Sequence, residues 1–75
     1  MDDYFVIAPV GGLWVVTSSE IILARCLTAP EAIKAAVQVA SRTASYGRMV
    51  QVVIEEPHRG PTVVWDSTRD SYSRG

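Results

Sequence analysis

The fold of this chain is decided by residues 28–47, which read TAPEAIKAAVQVASRTASYG. Thr28 and Glu31 form a capping box: the threonine hydroxyl can accept from the Glu31 amide, and the carboxylate can reach back to the Thr28 amide. Pro30 lies in the first turn, where its missing N–H costs nothing. Apolar residues then recur at spacings of three and four, at Ile33, Ala36, Val37, Ala40 and Ala44. This spacing predicts one amphipathic helix of about 17 residues that ends at Gly47.

Apolar segments rich in β-branched and aromatic residues predict five strands around this helix. Three precede the helix, at residues 4–8, 13–17 and 20–27, and two follow it, at residues 49–56 and 62–66. Gly11-Gly12 and Ser18-Ser19 predict hairpin turns, and residues 57–61 predict a loop because their two prolines interrupt a ladder. The order strand-strand-strand-helix-strand-strand predicts an α+β fold, a two-layer sandwich of an antiparallel sheet of four to five strands packed on one helix.

The length of 75 residues predicts a single α+β domain at 1–66, followed by a polar, flexible C-terminal tail at 67–75. A domain of this size buries only about 60% of the surface of its unfolded chain, so its stability is marginal. Cys26 is the one cysteine and His58 the one histidine, which excludes an internal disulfide and a four-ligand zinc site. Dimerisation is the remaining common way to stabilise such a chain.

Composition excludes several classes of function. The net charge of −1, with 48% hydrophobic and 20% charged residues, gives no electrostatic drive toward nucleic acid or an anionic membrane. The start Met1-Asp2-Asp3 is acidic, where a secretory signal would be basic, and no apolar run approaches the roughly 18 residues of a membrane span. We therefore expect a cytoplasmic protein that has no membrane partner.

No combination of residues predicts catalysis. His58 lies in a loop between Pro57 and Arg59, which is typical of a solvated histidine. Cys26 ends an apolar strand and is expected to be a buried structural thiol. Glu55 and Glu56 diverge on a strand. Asp66 and Asp70 are expected at a strand end and in a solvated tail. Gly11-Gly12 lacks the spacing and the lysine of a phosphate-binding loop. We expect no enzyme activity, no cofactor and no metal site.

The strands before the helix are apolar on both sides, which is the strongest functional signal in the sequence. Leu13 and Val15 alternate with Trp14 and Val16, although a solvated face would be polar at every second position. One helix cannot cover both faces. The interpretation is a protein-interaction or self-assembly module, a homodimer or a partner-binding domain, whose contact residues include Trp14, Val16, Trp65, Arg48 and Arg59.

Two alternatives from other classes remain open. In the first, the same sandwich binds nucleic acid, with Arg48, Arg59 and Arg69 on phosphates and Trp65 stacking on a base. Together with Arg74, these arginines are the nearest approach to a basic patch in the sequence. In the second, the chain is a small hydrolase in which His58 converges with an acid.

A resemblance rests on the helix start and its flanking strands. The stretch from Leu27 to Ala36, preceded by Trp14-Val15-Val16 and followed by Val50-Gln51-Val52-Val53, resembles small bacterial proteins that have no assigned activity. The same order is similar to that of the HicB-type antitoxins, whose partial double-stranded-RNA-binding-like fold neutralises a small RNA-cleaving toxin. The resemblance implies a small bacterial domain, and it carries over no site residue.

Overall fold

The helix predicted from the capping box is the one helix of residues 2–68, the part of the chain that the computed structural model describes (residue 2 by its backbone alone). Helix α1 spans Ala29–Ala44, and the Oγ1 atom of its N-cap, Thr28, accepts a hydrogen bond from the Glu31 N–H at 3.3 Å. The regular helix ends at Ala44. Gly47 closes the following turn at a φ of 86°, which is favourable for glycine because it has no Cβ.

The predicted order of elements is confirmed. The strands are β1 (Asp2–Val10), β2 (Leu13–Ser18), β3 (Ile21–Cys26), β4 (Met49–Glu56) and β5 (Gly60–Asp66). The first hairpin turns at Gly11 and Gly12 as predicted, and the second turns at Ser19 and Glu20, one residue later than predicted. Pro61 lies within β5 and not in the preceding loop. An edge strand tolerates proline because half of its amide groups have no strand to pair with.

The sheet is mixed, so the prediction of an antiparallel sheet is wrong for one of its pairs. The strand order is β3-β2-β1-β4-β5, and β1 pairs with β4 in parallel, with Phe5 beside Val52 and Ile7 beside Ile54. The other three pairs are antiparallel. The cause is the helix: α1 carries the chain back to the end of the sheet where β3 began, so β4 starts beside the start of β1 and runs in the same direction.

One face of the sheet forms the core together with α1. The helix contributes the fully buried side chains of Ala32, Ala36 and Ala40. The sheet contributes the larger side chains of Phe5, Ile7, Val16, Val50, Val52, Ile54 and Trp65. Small residues on the helix let its axis approach the sheet closely, and the bulky residues of the strands fill the space between them.

The C-terminal boundary of the described chain is held by hydrogen bonds. The Ser67 N–H donates to the Val50 carbonyl, and the Val50 N–H donates to Ser67 Oγ, both at 2.9 Å. Thr68 donates its N–H to Asp66 Oδ1 at 2.8 Å. Residues 69–75, the rest of the predicted flexible tail, lie outside the described residues. Within residues 2–68, no helix is long and apolar enough to cross a membrane.

Candidate interaction face

The second face of the sheet, here called the open face, carries the side chains that alternate with those of the core. In the register of the strands it comprises Tyr4, Val6, Ala8, Val10, Leu13, Val15, Thr17, Ile22, Arg25, Met49, Gln51, Val53, Glu55, Pro61, Val63 and Asp66. Most of these side chains are apolar, and Tyr4, Val10, Met49 and Val63 are each at least half exposed. The open face is therefore an apolar surface that α1 does not cover.

Val15 is the one buried side chain of the open face among the described residues. Its side chain is only 7% exposed, yet it belongs to no part of the core that packs on α1. Its cross-strand neighbours are Ala8 on β1 and Arg25 on β3. Because strand neighbours on one face lie within contact distance, these side chains shield Val15 on both sides. The open face thus has a packed apolar centre of its own.

Charged side chains occupy the margins of the open face. Arg25 lies on edge strand β3, while Glu55 and Asp66 lie on β4 and β5 at the other side of the sheet. Asp66 Oδ2 accepts a hydrogen bond from Gln51 Nε2 at 2.9 Å. In the part of the chain that the structure describes, neither Arg25 nor Glu55 takes part in an ion pair. The open face is therefore basic at one margin and acidic at the other.

A concavity of about 360 Å³ lies beside Glu55, where β4 enters the β4–β5 hairpin. Its lining consists of Ala8, Pro9, Glu55, Glu56, Pro57, Gly60 and Pro61. The three prolines hold the walls rigidly because each fixes its own φ. Gly60 has a φ of 74° and no side chain to fill the space. The concavity is therefore lined by two glutamates together with prolines, a glycine and an alanine.

The three apolar residues predicted as contact residues lie on the other side of the sheet. Val16 is 1% exposed and Trp65 is 6% exposed, both in the core beneath α1. Trp14 is partly buried and packs against the same core. Their side chains lie on the core side of the sheet, because residues at alternate positions on a strand share one face. Trp65 pairs with Val52, and Val16 pairs with Ile7. The open face is built from their sequence neighbours.

The two arginines predicted as contact residues are engaged within the chain. Arg48 Nη2 donates to Asp3 Oδ1 at 3.0 Å, and Arg48 Nε donates to Asp3 Oδ2, so the pair is bidentate. This hydrogen bonding lowers the pKa of Asp3 and raises the pKa of Arg48. Arg59 is exposed in the β4–β5 turn, with its Nη1 atom 4.0 Å from Glu56 Oε1. The structure does not bring Arg48 and Arg59 together with Trp65.

The residues weighed for catalysis are scattered. His58 is exposed in the β4–β5 turn. Cys26 is a free, half-buried thiol at the margin of the core. Glu55 is exposed, whereas Glu56 is half-buried. Within residues 2–68 no group of three or more histidine, cysteine, aspartate or glutamate side chains is arranged to hold a metal ion.

Sequence reasoning missed Ala8, Val15, Arg25 and Glu55 as members of one surface. A signal for them exists. Polar residues inside a strand mark the face that points away from the core, so Arg25 on β3 and Gln51 and Glu55 on β4 identify the open face. The register between strands, which assigns Ala8 and Val15 to the same face, follows only from the structure.

Comparison of the chain with known protein families, with curated proteins and with solved structures gives no match. The element order shared with the small bacterial proteins and the HicB-type antitoxins is present, but the comparisons give no support to membership of either group.

Proposed function

We propose that this domain is a self-assembly module without enzyme activity, and that it associates with a second copy of itself through the open face. The observation that carries the proposal is the pattern of that face, which is apolar at its centre and charged at its margins. Where one face of a sheet is exposed to water, its strands are polar at every second position. In this proposal the domain is a two-layer sandwich whose helix covers one face of the sheet and whose second copy covers the other.

The dimensions of the open face support a second copy as its occupant. Strands lie about 4.8 Å apart and rise about 3.3 Å per residue, so five strands of six to nine residues present about 500–600 Å². Two such faces bury about 1,000–1,200 Å² in total, which reaches only the lower limit of about 1,200 Å² for specific, stable protein–protein interfaces. The expected dimer is therefore concentration-dependent.

The edges of the sheet are less suited to association. The register of β3 leaves Leu23 without a cross-strand partner, and the register of β5 does the same for Val64. Such bulges twist an edge strand away from further pairing. Pro61 additionally removes a donor from β5. Although Ile21, Ile22 and Leu23 are exposed on β3, its backbone is a poor template for a new strand.

The alternatives have less support. For nucleic acid, the stacking residue Trp65 is buried, and Arg48 already binds a carboxylate. Arg69 lies outside the described residues. For a hydrolase, His58 is exposed in a turn. The cytoplasmic location stays a prediction from the lone Cys26, and the bacterial source stays a prediction from the resemblance.

The test is the mass in solution, measured by light scattering on a sizing column over a hundredfold range of concentration. Val63 on the open face and Val39 on the outer side of α1 are 50% and 40% exposed, which makes them a matched pair. We expect the wild type and Val39→Glu to dimerise equally, and Val63→Glu to remain a monomer with a similar melting temperature. A wild type that is monomeric at every concentration would overturn the proposal.

A further inference from the structure

We propose that the concavity beside Glu55 is a guanidinium-binding site, and that its ligand is Arg25 of the second copy. The inference rests on the proposed self-assembly through the open face and adds the residues that orient it. Arginine is the side chain best suited to such a site, since its planar guanidinium forms paired hydrogen bonds with carboxylates. The concavity supplies Glu55, and Glu56 lies beside it.

Arg25 and Glu55 lie in one row of side chains that crosses the open face. From one edge to the other, the cross-strand neighbours are Arg25, Val15 and Ala8. Ile7 pairs with Ile54 in the parallel pair, so the next residues along the two strands, Ala8 and Glu55, are also neighbours. Glu55 pairs in turn with Pro61 on β5, where the row ends. Both Ala8 and Glu55 line the concavity, which agrees with this order.

Two copies of this row can face each other in one simple arrangement that brings opposite charges together. A two-fold axis parallel to the strands, lying between β2 and β1, reverses the order of strands in the second copy. Arg25 of each copy then faces Glu55 of the other, and Val15 faces Ala8. Two equivalent ion pairs flank an apolar centre, which is the usual arrangement of a core and a polar rim.

Distance disfavours pairing of Arg25 with Glu55 of the same chain, and the described residues contain no such ion pair. Arg25 and Glu55 lie on β3 and β4, which are separated by β2 and β1, so about 14 Å of sheet lies between them. Facing sheets, in contrast, pack about 10 Å apart with their side chains interdigitating. The long Arg25 side chain stands at the exposed margin and can cross that space. Glu55 is the carboxylate left for it, because Glu56 lies near Arg59 of its own chain.

Reciprocal charge substitutions test the site. Arg25→Glu makes both sides of the contact acidic, and Glu55→Arg makes both sides basic, so each single variant repels its own copy. We expect each variant to dimerise at least tenfold more weakly than the wild type. An equimolar mixture of the two variants restores both ion pairs and should form a heterodimer with near wild-type affinity. Lys34→Glu, on the exposed surface of α1, is the control for the charge change alone.

The outcomes separate this inference from the proposed function. Monomeric single variants that form a heterodimer when mixed would support the guanidinium site. Single variants that dimerise within twofold of the wild type, while Val63→Glu remains monomeric, would overturn the site and leave association through the open face intact. Single variants that stay monomeric when mixed would also overturn it. A wild type that never dimerises would overturn both, and circular dichroism of each variant checks that it is folded.

Discussion

Asp3 and Arg48 join the two parallel strands at the point where both begin. Asp3 lies at the start of β1, and Arg48 immediately precedes β4, 45 residues later in the chain. The Arg48 guanidinium donates two hydrogen bonds to the Asp3 carboxylate, one of them at 3.0 Å. Because β1 and β4 are the pair that no hairpin connects, this contact holds a register that the local sequence does not specify.

The first prediction concerns acid. The hydrogen bond from Arg48 lowers the pKa of Asp3 below its ordinary value of 3.8 in the folded chain. The ionised pair therefore stabilises the fold above about pH 4, and that contribution is lost as the pH falls through the lowered pKa. We expect Asp3→Asn to be less stable than the wild type at pH 7 and to approach it as the pH falls below the lowered pKa of Asp3. Urea unfolding at pH 7 and at a series of acidic pH values measures this, and a difference that is constant with pH would contradict it.

The second prediction concerns the helix start. Thr28 Oγ1 accepts from the Glu31 N–H, one of the amide groups that the helix cannot satisfy internally. Thr28→Ala should therefore lower the free energy of unfolding by about 1 kcal/mol. Thr28→Ser keeps the hydroxyl and is the control, with an expected change below about 0.5 kcal/mol. Equal losses in the two variants, measured by urea unfolding, would argue against a capping role.

The third prediction concerns Trp65. Its side chain is 6% exposed within the core, so Trp65→Ala removes about 3–5 kcal/mol of packing. A chain of this size has about that much stability in total, and the variant should be largely unfolded at 25 °C. Trp65→Phe should keep the fold at a reduced melting temperature. Tyr46→Ala removes an aromatic ring that is 77% exposed and should leave the melting temperature unchanged. A Trp65→Ala variant that melts at the wild-type temperature would contradict the prediction.

Local features of the fold were predictable from the sequence. The start of α1 follows from Thr28 and Glu31, because a capping box acts within one turn of the chain. The turn at Gly11 and Gly12 follows from the conformational freedom of glycine, and both residues have positive φ. The strand β4 was predicted with its observed bounds, since its apolar residues alternate with Gln51 and Glu55.

Non-local features were not predictable from one chain. The position of β4 beside β1 depends on the path of the chain across the sheet, and no local residue encodes it. The face on which Trp14 and Val16 lie was ambiguous because β2 is apolar on both sides, so its alternation does not identify the core. The row from Arg25 to Glu55 depends on the register of three strand pairs at once, and the sequence of one chain does not give that register.

The last prediction compares the two tight turns of the sheet. Glu20 has a φ of 68° in the β2–β3 turn, and Gly12 has a φ of 83° at the same position of the β1–β2 turn. A residue with a Cβ destabilises the fold by about 1–2 kcal/mol in this left-handed region. Replacing it with glycine removes that cost, but glycine loses more conformational freedom on folding, so the net gain in stability is smaller. Glu20→Gly should therefore raise the free energy of unfolding by about 0.5–1 kcal/mol.

Gly12→Ala is the reciprocal variant. A Cβ at position 12 would have no heavy atom within 4 Å, so any loss of stability in this variant comes from the backbone conformation and not from a steric clash. We expect a loss of about 1 kcal/mol, opposite in sign to the gain from Glu20→Gly. Both changes are read from urea unfolding midpoints at one pH and one protein concentration. If Glu20→Gly destabilised the domain while Gly12→Ala did so too, the Glu20 side chain would have to stabilise the turn by more than its strained φ costs.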